Sequence, residues 1–425
     1  MKQMKDSGIE WISEIPEDWE LIKVGSIFRC RNEKVNDTDY PPLSVTRKGI
    51  VPQMENVAKT DANDNRKMVK VNDFVINSRS DRKQSCGVSS LDGSVSLINT
   101  VLYTENTDVI LPEYTNLLMK NYGFAEEFYR WGHGIVADLW TTRWQEMKSI
   151  GLPLPNTKQQ EKIVRFVQKK IYGIDNLIAH EQAMIEELKA YKQSVIAEAV
   201  TKGLDKSLPM KDSGVEWIGE IPESWAIKRA KYVATSIFKG NGITKEDIVV
   251  DGDTPCVRYG EIYSKYNISF RQCATRTNKS NLSVLQYFNY GDILFAGTGE
   301  LVEEIGKNIV YLGETECLAG GDIIVLRHKQ NPVFLNYALY ATYSQMQKSC
   351  GKAKLKVVHI SASEIGNIYV AEPSIAEQQQ IAEYLDKKCA DIDKLISIKQ
   401  QKIEELKEYK KSFIYEYVTG KKEVA

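Results

Sequence analysis

The segment Phe295–Gly299 (FAGTG) matches FxGxG, a pattern found in the cofactor loop of adenine methyltransferases. Such enzymes also need an Asn or Asp followed by Pro-Pro and an aromatic residue, which holds the adenine after it leaves the base stack. The sequence lacks this motif, since the nearest string, Asp39–Leu43 (DYPPL), has the wrong order. We therefore predict no methyltransferase chemistry; the glycines instead form a loop whose backbone N–H groups can approach phosphates.

Other patterns of catalytic or metal-binding residues are absent or have a simpler explanation. The sequence contains no Walker A motif for ATP hydrolysis. Glu187–Lys189 (ELK) could be half of a nuclease motif, but it recurs at Glu405–Lys407 with the charge spacing of a solvated helix face. The seven cysteines and four histidines are scattered without a CxxC pair, which indicates reduced, intracellular thiols and argues against a metal site. We expect no catalytic residue and no cofactor bound by this chain.

Length and composition indicate a globular protein. The 425 residues are enough for two or three domains with their own cores. Hydrophobic residues make up 42% and charged residues 27%, without an apolar run that could span a membrane or a secretory signal at the start. These features predict a cytoplasmic protein. The net charge of −1 is not typical of a nucleic-acid binder, so any DNA contact must come from local basic clusters.

Residues 155–201 and 373–419 are two copies of one long segment. With an offset of 218 and no gap, 22 of their 47 positions are identical, which defines an internal repeat. We predict that each copy is a helix about 65 Å long. The expected N-cap pairs and helix-ending glycines are Asn156 with Gln159 and Gly203 in the first copy, and Ser374 with Glu377 and Gly420 in the second.

Apolar residues recur at helical spacing along both copies, and charged residues fill the other faces. They are Ile174, Leu177, Ile178, Ile185, Leu188, Tyr191 and Val195 in the first copy, and Ile392, Leu395, Ile396, Ile403, Leu406, Tyr409 and Phe413 in the second. A stripe this narrow predicts a coiled-coil-like seam between the two helices. If they pack antiparallel, the chain has an internal pseudo-two-fold axis.

A second, shorter repeat precedes each variable region. Residues 4–19 (MKDSGIEWISEIPEDW) and 210–225 (MKDSGVEWIGEIPESW) match at thirteen of sixteen positions. The regions that follow, 20–154 and 226–372, share almost no sequence but contain similar strand-like runs and one aromatic helical stretch each. A constant frame indicates that both halves meet the same partner, whereas the divergent middles indicate that each half meets a different target.

These patterns predict an α+β fold with two α/β domains joined by two long antiparallel helices. Each domain is expected to contain a twisted, mainly antiparallel sheet. Strand-like runs include Val71–Ser80 and Tyr290–Gly299, and the helical stretches are Glu113–Trp131 and Pro332–Gln347. The predicted boundaries are 1–154 for the first domain, 155–203 for the first helix, 204–372 for the second domain and 373–425 for the second helix.

This arrangement resembles the specificity subunits of type I restriction-modification enzymes. The resemblance rests on the two DSGxEWIxEIPxxW blocks and on the segments Val358–Ser363, Glu377–Ile381, Ile76–Ser80 and Gly134–Trp144. It extends over essentially the whole chain. The family implies two target-recognition domains that each read half of a bipartite, asymmetric DNA site, with the helices as a spacer and without catalytic activity.

The resemblance also implies partners for this chain. Two modification subunits, which carry S-adenosylmethionine and methylate adenine, are expected to bind the repeated frame. Restriction subunits, which use ATP and Mg²⁺, are expected to join them. The expected ligand is double-stranded DNA, with no membrane contact. The alternative function is a coiled-coil scaffold that binds proteins alone.

Basic residues near predicted loops are the candidate DNA contacts, because arginine can grip guanine with two hydrogen bonds and lysine more often meets phosphate. In the first variable region they are Arg47, Lys48, Arg79, Arg82, Lys83 and Arg143. In the second they are Arg258, Tyr259, Arg276, Lys279, Thr298, Lys307, Lys352, Lys354 and Lys356, with Lys348 at the start of the last basic run.

Overall fold

The computed structural model describes residues 3–53, 64–79, 82–134, 140–240, 242–282, 284–352 and 357–424. The chain divides into two compact units: the first contains Met1–Gln182 and Gln400–Ala425, and the second contains Ala183–Lys399. Both units combine helices and sheets, which confirms the mixed fold class. The predicted four-segment division is a different partition of the chain and stays a prediction.

The first unit has a central antiparallel sheet and several smaller ones. Its strands are β1 (Met4–Asp6), β2 (Glu14–Pro16), β3 (Glu20–Lys23), β4 (Arg29–Cys30), β5 (Lys34–Val35), β6 (Leu43–Thr46), β7 (Gly49–Pro52), β8 (Arg66–Val69), β9 (Phe74–Asn77), β10 (Cys86–Val88), β11 (Gly93–Val95), β12 (Asn99–Tyr103) and β13 (Gly151–Leu154). The central sheet has the order β10-β9-β12-β4. A second sheet has the order β11-β8-β5, and three strand pairs are β1 with β2, β3 with β13, and β6 with β7.

Four short helices accompany these strands: α1 (Val24–Ile27), α2 (Pro112–Lys120), α3 (Tyr122–Arg130) and α4 (Trp144–Met147). The sequence predicted one helical stretch where α2 and α3 lie. The break occurs at Asn121, whose side-chain oxygen accepts a hydrogen bond from the Phe124 N–H (3.0 Å) and thereby caps α3. The aromatic core of this unit contains Trp11, Trp19, Tyr114, Phe124 and Phe128.

The second unit repeats this strand order with additions. Its strands are β14 (Met210–Asp212), β15 (Glu220–Pro222), β16 (Ala226–Arg229), β17 (Ala234–Lys239), β18 (Thr254–Val257), β19 (Ser269–Phe270), β20 (Thr275–Thr277), β21 (Tyr287–Phe288), β22 (Ile293–Ala296), β23 (Thr298–Gly299), β24 (Asn308–Tyr311), β25 (Cys317–Ala319), β26 (Ile323–His328), β27 (Val358–His359) and β28 (Tyr369–Glu372). The five-stranded sheet has the order β17-β26-β22-β24-β19, and a second sheet has the order β20-β18-β25-β21. All strand pairs of these two sheets are antiparallel except β19 with β24 and β18 with β25.

The helices of the second variable region are α6 (Ala230–Val233), α7 (Tyr259–Ser264), α8 (Pro332–Tyr340), α9 (Thr342–Ser349) and α10 (Ala362–Gly366). Short 3-10 turns lie at Lys279–Asn281 and Val302–Glu304. The pair α8 and α9 follows the central sheet as α2 and α3 do in the first unit. The two variable regions therefore share one skeleton, although their sequences have diverged.

The two repeated segments form the long helices α5 (Thr157–Lys202) and α11 (Ile375–Val418). Asn156 and Gln159 cap α5 reciprocally, because each side-chain oxygen accepts a hydrogen bond from the other residue's N–H (3.0 and 3.2 Å). Ser374 and Glu377 do the same before α11. Past both helix ends, Gly203 and Gly420 have φ of +74°, a conformation that favours glycine.

In the first unit, the parts of α5 and α11 that belong to it lie antiparallel. Asp175 pairs with Lys410 at 2.6 Å, and Glu181 pairs with Lys402 at 2.6 Å. Increasing residue numbers along α5 thus meet decreasing numbers along α11, which fixes the antiparallel direction.

The second unit has the equivalent contacts between its own parts of α5 and α11. Lys192 pairs with Asp393 at 2.7 Å, and the Lys399 ammonium lies 3.3 Å from the Met184 sulfur. The 218-residue offset converts Asp175 and Lys410 of the first unit into Asp393 and Lys192. The repeated sequence therefore forms the same ion pair once in each unit.

The predicted apolar seam is confirmed only in part, and both copies depart from it in the same way. The equivalent residues Ile174 and Ile392 are buried, as are Ile185 with Ile403 and Val195 with Phe413. The prediction is wrong for four residues that are about half exposed: Leu177 (49%), Tyr191 (49%), Leu395 (48%) and Tyr409 (54%). A helical period marks an apolar stripe, but a contact between two helices covers only part of its width.

Candidate nucleic-acid interface

Two basic segments of the first unit lie next to each other: the β6–β7 turn and the segment that contains Lys83. Arg47 and Lys48 form this turn and are exposed. The Arg47 Nε donates a hydrogen bond to the backbone oxygen of Lys83 at 3.2 Å. Lys83 is itself held by Glu126 at 3.0 Å, and its ammonium lies 4.8 Å from the centre of the Tyr129 ring. The sequence predicted these cations separately, and the fold brings them together.

A third segment joins at the end of β9. Arg79 forms an isolated antiparallel bridge with Thr141, and the Tyr129 hydroxyl donates to the Arg79 backbone oxygen at 2.8 Å. This bridge carries exposed Arg143, two residues beyond Thr141, to the same edge as exposed Arg79. Arg82 is exposed in the turn that precedes Lys83.

We name the resulting set, Arg47, Lys48, Arg79, Arg82, Lys83 and Arg143, the basic surface of the first unit. Its members come from three segments that are far apart in sequence. Residues 80, 81 and 135–139, which belong to motifs singled out in the sequence, lie outside the described residues. The role of these side chains in DNA contact stays a prediction.

In the second unit, Arg258 and Tyr259 line an open cleft of about 860 Å³. Arg258 follows β18, and Tyr259 begins α7 with 39% of its surface exposed. The cleft also contains Lys239, Lys245 and Lys265, which the sequence analysis did not select. Nothing in their spacing distinguishes them from other surface lysines, because they come from the end of β17, from a loop and from the end of α7, which only the fold brings together.

Arg276 and Lys279 form a neighbouring group at the end of β20. The Arg276 guanidinium donates to the backbone oxygens of Gly252 (2.6 Å) and Asp253 (3.1 Å). The Asp253 carboxylate accepts from the Lys279 N–H at 3.1 Å. Both side chains remain exposed, but Arg276 is committed to holding the Gly252–Asp253 loop.

The structure corrects the prediction for Thr298 and its glycine-containing loop. Thr298 is only 9% exposed, and its hydroxyl lies 3.1 Å from Nδ1 of His359. The N–H of Gly297 donates to the Asp322 backbone oxygen at 2.7 Å, so it does not face a phosphate. A side chain at Gly297 would come within 2.9 Å of that oxygen, which explains the glycine by close packing.

Lys352, another predicted DNA contact, lies in this part of the second unit. Lys352 is 13% exposed and donates to the His359 backbone oxygen (2.6 Å) and to Glu364 (2.7 Å). Lys354 and Lys356 lie outside the described residues. Lys352 therefore secures the β27 segment rather than presenting a free ammonium.

Lys307 and Lys348 point inward. The Lys307 ammonium is 3.4 Å from the backbone oxygens of Tyr263 and Tyr266, and burial lowers its pKa. Lys348 is 2% exposed and donates to Asn308 (2.8 Å) and to the Leu339 oxygen (2.7 Å). Including Lys348 among the surface cations was wrong, because its side chain crosses the core.

Four apolar residues of the long helices that were predicted to lie in the seam are about half exposed. In the first unit, Leu177 and Tyr409 flank the ion pair of Asp175 with Lys410, so they lie at the same level of the helix pair. In the second unit, Leu395 and Tyr191 flank the equivalent pair in the same way. The repeat therefore gives each unit the same pair of half-exposed apolar side chains.

Among the described residues, no three His, Cys, Asp or Glu side chains are grouped as a metal ion requires. None of the helices in the described part of the chain combines the length and apolar character needed to cross a membrane.

Comparison with known proteins gives the class of this fold. The chain superimposes on one from a solved type I R-M system with a TM-score of 0.71 at 16% identity, over 95% of this chain and 98% of that one. It also matches the HsdS subunit of Thermoanaerobacter tengcongensis with a TM-score of 0.52 at 17% identity, over 98% of this chain and 99% of that one. The fold is that of these subunits.

Sequence comparison agrees with the structural likeness. Residues 222–408 match the family "Type I restriction modification DNA specificity domain". The MjaVIII specificity subunit of a Methanocaldococcus jannaschii type I restriction enzyme is 26% identical, over 96% of this chain and 93% of that protein. A putative MjaX specificity subunit from the same organism is 24% identical, over 96% and 95%. Residues 222–408 thus resemble the specificity domain of these enzymes, and nearly the whole chain is similar to specificity subunits of type I restriction enzymes.

Proposed function

We propose that this chain recognises DNA sequence as the non-catalytic specificity subunit of a type I restriction-modification system. The observation that carries this proposal is the basic surface of the first unit, where contacts between three distant segments bring six exposed cations into one part of the unit. Clustered cations provide the phosphate attraction that a chain of net charge −1 lacks as a whole. Arginines among them can read base edges in the major groove.

The two units are proposed to read unlike halves of a bipartite site. They share one sheet order and one frame, but their loops differ: the first presents the β6–β7 turn and Arg79, and the second presents the cleft at Arg258. Different loops on one skeleton can recognise different bases, since specificity resides in side chains that reach the groove. An asymmetric target follows from this difference.

Two modification subunits are proposed to dock on the half-exposed apolar residues of α5 and α11. Because each unit presents a Leu and a Tyr at equivalent positions, the chain offers the same contact twice. Those subunits would supply S-adenosylmethionine and methylate adenine, and restriction subunits would supply ATP and Mg²⁺ chemistry. This chain itself is proposed to contribute recognition and assembly without a cofactor.

The test of DNA recognition is the double variant Arg79→Ala, Arg82→Ala, assembled with the cognate modification subunits. We expect at least about a tenfold loss of affinity for DNA carrying the recognition site, because arginine contacts to bases or phosphates are removed. Arg165→Ala is the control, since this exposed arginine lies on α5 and pairs only weakly with Glu161 at 3.9 Å. Unchanged DNA affinity in the double variant, with assembly intact, would favour the protein-only scaffold.

A further inference from the structure

Arg258 differs from the other four arginines of the second unit in the hydrogen bonding of its guanidinium. Four of the five donate at least one hydrogen bond of 3.2 Å or less: Arg229 to the Tyr369 hydroxyl, Arg271 to the Leu312 oxygen, Arg276 to the oxygens of Gly252 and Asp253, and Arg327 to Asp292 and the Tyr287 oxygen. The guanidinium groups of these four arginines therefore stabilise the fold by hydrogen bonds within the same unit.

The Arg258 guanidinium makes no hydrogen bond to any residue within the described ranges. Its Nε is buried without a partner, and its Nη2 is 3.9 Å from the Glu261 carboxylate, which is too long for a hydrogen bond. A buried donor without an acceptor destabilises a fold. The Arg258 side chain is nevertheless 28% exposed, so the outer nitrogens of its guanidinium remain accessible to an acceptor of a ligand in the cleft.

The backbone of Arg258 is held in place by its surroundings. The Glu261 side chain is 4% exposed and accepts from the Arg258 N–H (3.0 Å) and from the Thr275 hydroxyl (3.0 Å). Lys265 pairs with the other Glu261 oxygen at 3.2 Å. On the opposite side, a Cβ added to Gly320 would lie 3.2 Å from the Arg258 Cα, so only glycine lets the two segments pack this closely.

The cleft around Arg258 has the charge and size for a nucleic-acid edge. Its cations outnumber its carboxylates, because Lys239, Lys245, Lys265 and Arg258 line it with Glu261 and Asp322. Two of these lysines are already paired, Lys239 with Asp322 at 3.3 Å and Lys265 with Glu261 at 3.2 Å. Within the described residues, the Arg258 guanidinium therefore keeps donors that no hydrogen bond uses.

We propose that Arg258 is a specificity-determining residue of the second unit and reads one guanine in its half of the DNA site. Guanine presents two acceptors, O6 and N7, in the major groove, and the planar guanidinium of an arginine can donate to both at once. The lysines of the cleft attract phosphates of any sequence, so they contribute affinity without selecting a base. This inference rests on the proposed function and names the residue and the base that it selects.

The test compares Arg258→Lys and Arg258→Gln in the complete complex with modification subunits, by sequencing the adenine-methylated motif in cells. Arg258→Lys keeps the positive charge and an aliphatic side chain, so this variant is expected to preserve the fold. We expect one guanine of one half-site to become degenerate, with discrimination against the other bases at that position falling at least about tenfold. The other half-site should stay unchanged in both variants.

Arg271→Lys is the matched control, because this exposed arginine of the same unit already donates to the Leu312 oxygen. Its motif should equal that of the unaltered chain. A motif that is unchanged in both Arg258 variants overturns the proposal, and so does an equal decrease of methylation at all sites in an assembled Arg258→Lys complex. Failure of DNA recognition altogether is a separate result, since the unaltered complex would then show no sequence motif.

Discussion

Lys348 carries its ammonium into the interior of the second unit. Asn308 and the Leu339 backbone oxygen accept its hydrogen bonds, and the ammonium lies 5.4 Å from the centre of the Phe295 ring. Burial disfavours the charged form and lowers the pKa of Lys348 to about 7. In the unfolded chain, the same group has the ordinary lysine pKa of about 10.4.

This difference in pKa predicts a pH-dependent stability. Between about pH 7 and pH 10 the unfolded chain holds the Lys348 proton and the folded chain does not, so a rise in pH favours the folded state. Below about pH 7 the group is protonated in both states and contributes no slope. Relative to Lys348→Met, the unaltered protein should gain up to about 1.4 kcal/mol of unfolding free energy per pH unit in this window.

Urea unfolding at several pH values from 6 to 9.5 measures this gain. Lys407→Met is the control, since Lys407 lies on the surface of α11 and forms an exposed ion pair with Glu404 one turn away. Its stability should follow that of the unaltered protein at every pH. If the difference between the Lys348→Met variant and the unaltered protein is also constant with pH, the buried lysine does not titrate as described.

At the residue scale, sequence reasoning could find cations but not their environment. Arg47, Lys83 and Arg143 were recognisable as basic residues near loops, and the fold gathers them on one surface. The sequences around Thr298 and Lys348 suggested DNA-contacting loops equally well, yet both residues are buried. Burial depends on contacts between distant segments, which local sequence does not encode.

The long helices combine a buried face and a half-exposed apolar face. Ile185 and its equivalent Ile403 are at most 5% exposed, whereas Leu177 and its equivalent Leu395 are about half exposed. Complete burial of a leucine side chain contributes about 1.5–3 kcal/mol, so a partner that covers these leucines would gain binding free energy. This surface supports the proposal that a modification subunit docks once in each unit.

The variants Leu177→Asp and Leu395→Asp should each weaken the binding of one modification subunit at least about tenfold, because a charge replaces an apolar contact. Native mass spectrometry should show one modification subunit bound to each single variant and none bound to the double variant. Val250→Asp is the control, since Val250 is 89% exposed and lies away from the helices in sequence. Retention of two modification subunits by the double variant would exclude this docking surface.

At the element scale, the repeat made α5 and α11 predictable because capping residues and glycines are local signals. Both capping pairs and both glycines are found where the sequence placed them. The seam was predictable only in part, since periodicity does not say how much of a stripe a neighbouring helix covers. The break at Asn121 was missed because the aromatic pattern runs through it and a single side chain forms the cap.

At the scale of the whole molecule, duplication explains why two unlike regions share one architecture. The order β4-β12-β9-β10 in the first unit corresponds to β17-β26-β22-β24 in the second, although the sequences barely match. Strand order depends on buried apolar runs, which tolerate substitution, whereas recognition depends on loop side chains. The sequence therefore predicted two related halves, but it could not predict that each compact unit takes part of both long helices.

The most direct test of the central claim is the genome-wide map of adenine methylation in cells that express this chain with its cognate modification subunit. We expect a bipartite motif with two unlike halves around a fixed gap, which is lost when this chain is deleted. Exchange of residues 226–372 for those of a related chain should alter one half only. An active modification subunit whose methylation motif does not change when this chain is deleted or exchanged would contradict the account.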